Sequence, residues 1–427
     1  MAGKDKYLQE VVPPFTPLTA MEEASRCTLC LDPPCSRDCP AGTDPGSFIR
    51  SIRFRNFRGA AETIRKNNIL GGVCARVCPY EKLCEEACSR TGIDRPIEIG
   101  RLQRFATDYE SATGFTVLEA PAAAKEKVAM IGSGPGSLAA AADLAMRGYK
   151  VTVFESKPKA GGIMRYGIVP GRLPEYVIDE EVKYIEDLGV EFKYNTKVGK
   201  DVSLDDLRSQ GYKAFMVGIG LQNAKLVDIP GLDLDGVDTA IEFLANARSK
   251  QGAVDVGTKA VVIGGGDVAL DCATTCHDLG ADTSVLYRRT REEMPATKLE
   301  VEHCESKGIK FYFGFKPEEV LGKNGSVVGI KGTGFRDNSK IELEADKVVF
   351  AIGQVPEDPA LISEKLAFSE HNKFVVSEKE DGSTNVEDIF VAGDILAGSR
   401  KMVVTAVAEG KTAAESIDTY LTQKRDK

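Results

Sequence analysis

The cysteines of the chain are concentrated near its beginning. Eight of the eleven lie in two groups with short intervals, Cys27-x2-Cys30-x4-Cys35-x3-Cys39 and Cys74-x3-Cys78-x5-Cys84-x3-Cys88. Thiolates are soft ligands that suit iron–sulfur clusters or zinc. Eight thiols match two four-iron clusters in number, whereas the alternative is two structural zinc sites of four cysteines each. In a long chain that shows no signal peptide, this density favours metal binding over a disulfide framework.

A glycine-rich turn after an apolar strand indicates a first dinucleotide site. The strand is KVAMI, an alanine-rich helix follows, and the turn between them is Gly132-Ser133-Gly134-Pro135-Gly136. Glycines permit a tight turn and a close approach to a pyrophosphate, which the free N–H groups of a helix N-terminus bind. Ser137 replaces the third glycine of the GxGxxG pattern and is small enough for helix–strand packing. Glu155 ends the second strand, where a carboxylate is expected to accept hydrogen bonds from a ribose.

Two further segments favour FAD as this dinucleotide. One contains Gly162 in the sequence KAGGI, just after Glu155. The other contains Gly393 and Asp394 in TNVEDIFVAGDILAGSR, which resembles the flavoprotein reductase motif whose aspartate binds the ribityl chain. The alternative for Gly393-Asp394 is a simple turn at the end of a strand. If FAD binds, its domain is discontinuous, with a second nucleotide domain inserted in it.

The same pattern of strand, glycine turn and helix returns about 130 residues later. After the strand KAVVI come Gly264-Gly265-Gly266-Asp267. The next strand, TSVLY, ends in Arg288 and Arg289 rather than in an acid. Arginines can pair with the 2′-phosphate of NADPH, whereas a carboxylate would favour the free ribose of NADH. The pair therefore favours NADPH; the alternative is that both arginines only solvate a strand end and NADH is used.

Composition and charge limit the class of protein. The 427 residues are 42% hydrophobic and 28% charged, with a net charge of -9, which argues against nucleic-acid binding. We find no apolar run long enough for a membrane span and no signal peptide, so a soluble cytoplasmic protein is expected. The fold class predicted is α/β, with an all-α domain for two [4Fe-4S] clusters followed by two Rossmann-like domains. The predicted ranges are 1–115 for the cluster domain, 125–235 and 345–427 for the FAD domain, and 236–344 for the NAD(P)H domain.

Three segments near the start of the chain resemble those of a known family. RCTLCLDPPCSRDCP, GGVCARVCPYEKLCEEAC and PIEIGRLQRFATDYE resemble the N-terminal part of dihydropyrimidine dehydrogenase, and the length and order of the chain resemble its bacterial flavin/iron–sulfur subunit. The small subunit of NADPH-dependent glutamate synthase is a more distant resemblance. GGGDVALDCATT and the AIG ending at Gly353 fit the nicotinamide domain of this group. Arg172, in PGRLP, falls on a position that contacts FAD in the family.

The resemblance also implies a set of cluster ligands. One cluster would be held by Cys27, Cys30, Cys35 and Cys88, and the other by Cys39, Cys78, Cys84 and Gln103. Cys74 is then spare, whereas a simple count of eight thiols would make it a ligand in place of Gln103. The alternative to Gln103 as a ligand is that it is an ordinary residue on the surface of a helix.

The resemblance further implies the reaction and the partner. Hydride would pass from NADPH or NADH to FAD, and electrons would pass through the clusters to an FMN/iron–sulfur catalytic subunit (PreA-like) in a hetero-oligomer. The FMN barrel that binds the pyrimidine in full-length enzymes is absent from the sequence, so no catalytic residue is assigned; His277, His303 and His371 are expected to be surface or cap residues. The alternatives are a glutamate synthase small subunit, a thioredoxin-reductase-type enzyme using Cys272 and Cys276, and a zinc-binding module with vestigial nucleotide folds. For Cys272 and Cys276, two small packed thiols are the simpler interpretation.

Overall fold

The computed structural model describes residues 2–357, 362–363, 365–369, 374–377 and 379–425. Its helices are α1 (Ala2–Leu8), α2 (Pro17–Ser25), α3 (Pro34–Arg37), α4 (Pro45–Arg53), α5 (Phe57–Asn67), α6 (Gly71–Val77), α7 (Ile99–Thr113), α8 (Pro135–Met146), α9 (Ile163–Tyr166), α10 (Glu175–Asp187), α11 (Leu204–Ser209), α12 (Ala240–Ser249), α13 (Asp267–Asp278), α14 (Lys298–Ser306) and α15 (Val403–Arg425). Two 3₁₀ turns span Tyr80–Lys82 and Ser89–Gly92. Its strands are β1 (Lys127–Ile131), β2 (Lys150–Phe154), β3 (Glu191–Lys193), β4 (Tyr212–Val217), β5 (Asn223–Ala224), β6 (Val237–Thr239), β7 (Lys259–Ile263), β8 (Asp282–Tyr287), β9 (Lys310–Phe313), β10 (Phe315–Lys323), β11 (Ser326–Gly334), β12 (Lys340–Glu344), β13 (Lys347–Phe350), β14 (Gln354–Val355) and β15 (Ile389–Val391).

The chain divides into two units. The smaller unit contains Met1–Val11, Tyr166–Pro174 and Gln222–Val355. The larger unit contains Val12–Arg165, Glu175–Leu221 and Pro356–Lys427. His371, one of the three histidines expected to be surface or cap residues, lies outside the described residues.

The first part of the larger unit is helical and contains the eight clustered cysteines. Its helices begin at side-chain caps: Thr16 caps α2, Asp44 caps α4 and Asn56 caps α5, each accepting a backbone N–H of the first turn. The apolar faces of α4, α5 and α7 form a core that includes Phe48 and Leu102, both fully buried. Many of the cysteine-bearing segments between the helices are irregular or 3₁₀ turns, so helix packing positions the thiols.

The second part of the larger unit is a parallel sheet of five strands in the order β15-β4-β1-β2-β3. The apolar runs of its central strands are almost completely buried, as expected for a parallel sheet covered on both faces. Helices α8 and α15 pack together beside this sheet. The carboxyl ends of β1, β2, β4 and β15 therefore meet at one edge, where an open α/β sheet binds its ligand.

The smaller unit has a second five-stranded parallel sheet, in the order β6-β13-β7-β8-β9. An antiparallel sheet of β10, β11 and β12 and the short antiparallel pair β5–β14 complete it. Helix α13 follows β7 and is buried against the sheet through Leu270, Cys272 and Cys276. The two cysteines thus fill the core of this unit.

The division differs from the predicted ranges at several places. Strand β13, placed by the sequence in the second FAD segment from residue 345, pairs with β6 and β7 in the sheet of the smaller unit. Its run KVVF is buried between these neighbours, so the second segment of the larger unit starts only at Pro356. The first eleven residues, residues 166–174 and residues 222–235 also cluster with the smaller unit. Short apolar strands such as KVVF look alike in both sheets, and only strand pairing distinguishes them.

A close approach of α8 and α15 gives a test of this packing. A Cβ built on Gly410 would lie 2.2 Å from the backbone oxygen of Gly136. Gly410→Ala should therefore destabilise the protein by about 1–3 kcal/mol through overpacking. Denaturant unfolding of the FAD-loaded protein measures the change. Gly92→Ala is the control, because a Cβ there meets nothing within 4 Å; equal stability of the two variants would contradict the packing.

Candidate functional site

The first glycine turn joins β1 to α8 and has no room for a side chain at Gly132. Gly132 has φ +90°, and a Cβ there would lie 2.8 Å from the carbonyl oxygen of Gly218 at the end of β4. Gly134 is the N-cap of α8 and Pro135 its first residue. The turn therefore leads directly into the N-terminus of α8, and pyrophosphate binding there stays a prediction.

Glu155 is buried at the end of β2 and is organised by the same turn. Its carboxylate accepts hydrogen bonds from the N–H of Ser133, at 3.0 Å, from the Ser133 hydroxyl, and from the N–H of Lys157, at 2.8 Å. Gly162 lies against the turn as well, since a Cβ on it would be 2.9 Å from the Cα of Gly134. A buried carboxylate beside a glycine cradle fits the adenosine part of a dinucleotide.

Gly393 and Asp394 follow β15 at this edge of the sheet. Gly393 has φ +79°, and its N–H donates to Oε2 of Glu409 on α15, at 2.9 Å. Burial raises the pKa of Asp394, and the charge of Lys401 opposes that rise. The three predicted flavin segments therefore converge at the carboxyl ends of neighbouring strands. Sequence reasoning missed Glu409, although its place in VVTAVAEGKTAA, shortly after the aspartate motif, was a usable signal.

The cysteines fall into two sets of electrostatic neighbours. Burial, with the neighbouring charges of Cys88, Cys27 and Cys30, raises the pKa of Cys35 to about 12. In the other set a side-chain hydrogen bond with Cys74 raises the pKa of Cys78, assisted by burial and by the charges of Cys84 and Cys39. The first set thus contains Cys27, Cys30, Cys35 and Cys88, and the second contains Cys39, Cys74, Cys78 and Cys84. The sets adjoin, since Cys84, whose pKa burial raises, also has Cys35 as an electrostatic neighbour. Cys30 is the more exposed member of the first set. Its side chain forms hydrogen bonds with the hydroxyls of Ser89 and Thr28, and these hydrogen bonds lower its pKa.

The donor chemistry of both sets fits iron–sulfur clusters. Cys27, Cys35 and Cys88 of the first set and Cys84 of the second pack against one apolar core, although they lie up to about 60 residues apart in the sequence. In the described part of the chain no three His, Cys, Asp or Glu side chains are close enough to share one metal ion. Soft sulfur donors in sets of four suit a larger group with several irons.

Gln103 and Cys74 both lie at the contact of α6 with α7. Gln103 is 7% exposed, and its Nε2 donates to the carbonyl oxygen of Gly71, the first residue of α6, at 2.7 Å. Cys74 is buried one turn further along α6, and its side chain forms a hydrogen bond with that of Cys78. The structure places Cys74 in the second set of thiols and Gln103 on the neighbouring helix against the start of α6, and Gln103 as a ligand stays a prediction.

The second glycine turn lies in the smaller unit, between β7 and α13. Gly264 has φ +150°, and a Cβ on it would lie 2.3 Å from the carbonyl oxygen of Ala351. A Cβ on Gly265 would meet the ring of Tyr287 at 2.5 Å, and Gly266 is the N-cap of α13. Asp267, the first residue of α13, accepts the N–H of Thr297 at 2.8 Å. Gly353 follows β13 with φ +124°, so this turn too is shaped for a dinucleotide backbone.

Three arginines of interest also belong to the smaller unit. Arg288 and Arg289 are exposed after β8, and within the described residues neither forms an ion pair. Arg172, expected by resemblance to contact FAD, instead pairs with Asp271 of α13 at 3.1 Å and with Glu300 of α14 at 3.1 Å. Its contact with FAD stays a prediction.

Comparisons with known proteins agree with this geometry. Residues 4–115 match dihydropyrimidine dehydrogenase domain II, 4Fe-4S cluster, and residues 126–410 match pyridine nucleotide-disulphide oxidoreductase. The chain is 42% identical to the NAD-dependent dihydropyrimidine dehydrogenase subunit PreT of Escherichia coli O157:H7, over 98% of each chain. The chain belongs to the family of flavin and iron–sulfur subunits that includes PreT. It is also 32% identical to the glutamate synthase [NADPH] small chain of Escherichia coli K12, over 96% of this chain and 93% of that one.

Solved structures show the fold of the nucleotide-binding part. Mycobacterium tuberculosis FprA in complex with NADPH aligns with a TM-score of 0.60 at 21% identity, covering 71% of this chain and 86% of FprA. The predicted fold class is confirmed: a helical 4Fe-4S domain precedes Rossmann-like domains. The chain is an NAD(P)H-dependent flavin oxidoreductase whose cofactors are FAD, NAD(P)H and 4Fe-4S clusters. None of the described helices is both long and apolar enough to cross a bilayer.

The grouping of the thiols predicts the effect of losing one. Cys35→Ser should remove one cluster and lower the iron content per chain by roughly half, because a hard hydroxyl replaces a soft thiolate ligand. Iron and acid-labile sulfide analysis after anaerobic purification measures this. Cys304→Ser is the control, since that thiol is buried in the smaller unit. Equal iron in both variants would remove Cys35 from the ligands.

Proposed function

We propose that the chain is the electron-input subunit of a dihydropyrimidine dehydrogenase. It would oxidise NAD(P)H and pass electrons through two [4Fe-4S] clusters to a partner FMN subunit that interconverts uracil or thymine and their 5,6-dihydro forms. The observation that carries the proposal is that the cysteine helices and the flavin fold belong to one packed unit. Similarity to PreT along nearly the whole chain supports the pyrimidine reaction.

The packing of the two parts of the larger unit depends on a buried ion network. Arg65 of α5 binds Glu110 of α7 through Nε at 2.7 Å, and Glu181 of α10 through Nη1 at 2.9 Å. Glu181 also accepts the N–H of Gly72, at 2.6 Å, in the first turn of α6, the helix that carries Cys74. A desolvated network of this kind fixes the cysteine helices on the flavin fold.

The residues of the flavin fold would bind and orient the cofactor. Bound FAD supplies the chemistry of accepting a hydride and releasing electrons singly. Glu155 would hold the ribose, the start of α8 the pyrophosphate, and Asp394 the ribityl chain. The candidate ligands of the clusters are the two sets of thiols, with Gln103 or Cys74 completing the second set.

The donor nucleotide is proposed to be NADPH. Arg288 and Arg289 are exposed, without carboxylate partners in the described chain, and end the strand that follows the second glycine turn. This also favours, as a second candidate function, the small subunit of an NADPH-dependent glutamate synthase. PreT is named NAD-dependent, so the donor and the partner need separate tests.

The partner is tested by anaerobic purification of the full chain with its co-expressed genomic neighbours. The pyrimidine proposal expects a catalytic partner that binds FMN, and a complex that oxidises NAD(P)H only when uracil or thymine is added. A very large amidotransferase partner and oxidation that depends on glutamine and 2-oxoglutarate would establish the second candidate instead. Iron that is absent, or that is not reduced by NAD(P)H, would contradict both.

The donor is tested by replacing both arginines with alanine. The double variant should lose about 10- to 100-fold in kcat/KM for NADPH, because charge-assisted hydrogen bonds to the 2′-phosphate are lost, and little for NADH. Stopped-flow reduction of the flavin by each nucleotide measures this. Lys323→Ala, which removes another exposed and unpaired cation, is the control. A wild-type preference for NADH of more than tenfold would overturn the assignment.

A further inference from the structure

Three consecutive residues of α15 contact three different functional segments of the larger unit. Glu409 accepts the N–H of Gly393 in the flavin motif, and Gly410 lies against Gly136 in the first glycine turn. Lys411, the next residue, faces the cysteine helices: its Nζ donates to the carbonyl oxygens of Ala41, at 2.9 Å, and Asn67, at 2.6 Å. One turn of helix therefore links the flavin segments to the cysteine domain.

Lys411 is a half-buried cation that lacks a carboxylate partner. Among the residues described by the structure, no acid lies within ion-pair distance of its Nζ, and only backbone carbonyls accept its bonds. Asp143, an acid in its surroundings, is bound to Arg147 instead, at 3.2 Å. A cation that is partly removed from water and not neutralised exerts its field on nearby redox groups more strongly than a solvated one.

Cys39 is a candidate cluster ligand in the surroundings of this cation. Ala41, which Lys411 binds, is two residues from Cys39, and the Cys39 sulfur accepts the N–H of Thr43 at 3.4 Å in the same loop. Burial lowers the pKa of Lys411, while the charges of Asp143 and Cys39 raise it. The cation and the Cys39 thiolate are thus electrostatic neighbours.

We propose that Lys411 raises the reduction potential of the cluster bound by Cys39, so that this cluster accepts electrons from the flavin. The inference rests on the proposed function, since it needs a cluster at the second set of thiols. Reduction adds a negative charge to a cluster, and a fixed positive charge beside its ligand stabilises the reduced form.

The test is a redox titration of the full chain with both clusters loaded, followed by EPR. In Lys411→Met the ratio of reduced to oxidised cluster at a fixed potential should fall about tenfold for one cluster, equivalent to about 59 mV, and less for the other. Lys411→Arg, which keeps the charge, should restore the potential to that of the wild type. Lys424→Met is the control, because Lys424 is an exposed lysine at the far end of the same helix.

The outcomes separate this inference from the proposed function. If both clusters are present and reducible but neither midpoint moves in Lys411→Met, or if Lys411→Arg shifts it as far, the tuning role is wrong while electron input stands. If Lys411→Met loses iron, Lys411→Gln, whose amide still donates to a carbonyl, is titrated by the same criteria. Loss of iron in both neutral variants would make Lys411 a structural tether and overturn the inference. A wild-type chain without iron would defeat the proposed function itself.

Discussion

Arg65 is buried with two carboxylates, Glu110 from the cysteine helices and Glu181 from the flavin fold. A guanidinium removed from water is stable only if its charge and its hydrogen bonds are satisfied, and here partners from both parts of the larger unit are needed. Burial raises the pKa of Glu110 and of Glu181, and the charge and hydrogen bonds of Arg65 oppose that rise. Because Glu181 also accepts an N–H at the start of α6, the helix beside the second set of thiols has its position fixed by the flavin fold.

Close backbone approaches impose a second constraint on the same unit. The first glycine turn lies against the end of β4, the KAGG segment lies against that turn, and α15 lies against the start of α8. Each of these contacts excludes a Cβ, so the flavin segments can converge only where glycine stands. Helix α15 contacts all of these segments through residues 409–411. Glu409 binds the aspartate motif, Gly410 packs against the glycine turn, and Lys411 donates to the cysteine domain. The binding of the flavin and the placement of the cysteine loop therefore depend on one helix.

The sequence allowed the local parts to be predicted, because local chemistry specifies them. The strand–glycine–helix pattern around Gly132 and Gly264 and the acid at Glu155 are set by neighbours within about 25 residues. The pairing of Cys35 with Cys88 was available only through family resemblance, since spacing says nothing of which segments the fold brings together. Arg65 and Glu181 are 116 residues apart, and no periodicity links them. For the same reason β13 was assigned to the wrong sheet: its apolar run satisfies either one, and hydrogen bonding to β6 and β7 decides.

Arg65 and Lys411 join the same two parts of the chain but are compensated differently. Arg65 is paired with two carboxylates, so its charge is compensated without any cofactor. Lys411 is held by two carbonyl oxygens, which satisfy its hydrogen bonds but not its charge. Leaving a half-buried cation in this state is costly unless a negative group completes the site. On the proposed function, a cluster held by thiolates would be such a group, and Lys411 would complement its negative charge. Without such a group, the two hydrogen bonds of Lys411 would still tether the loop, but its charge would have no counterion.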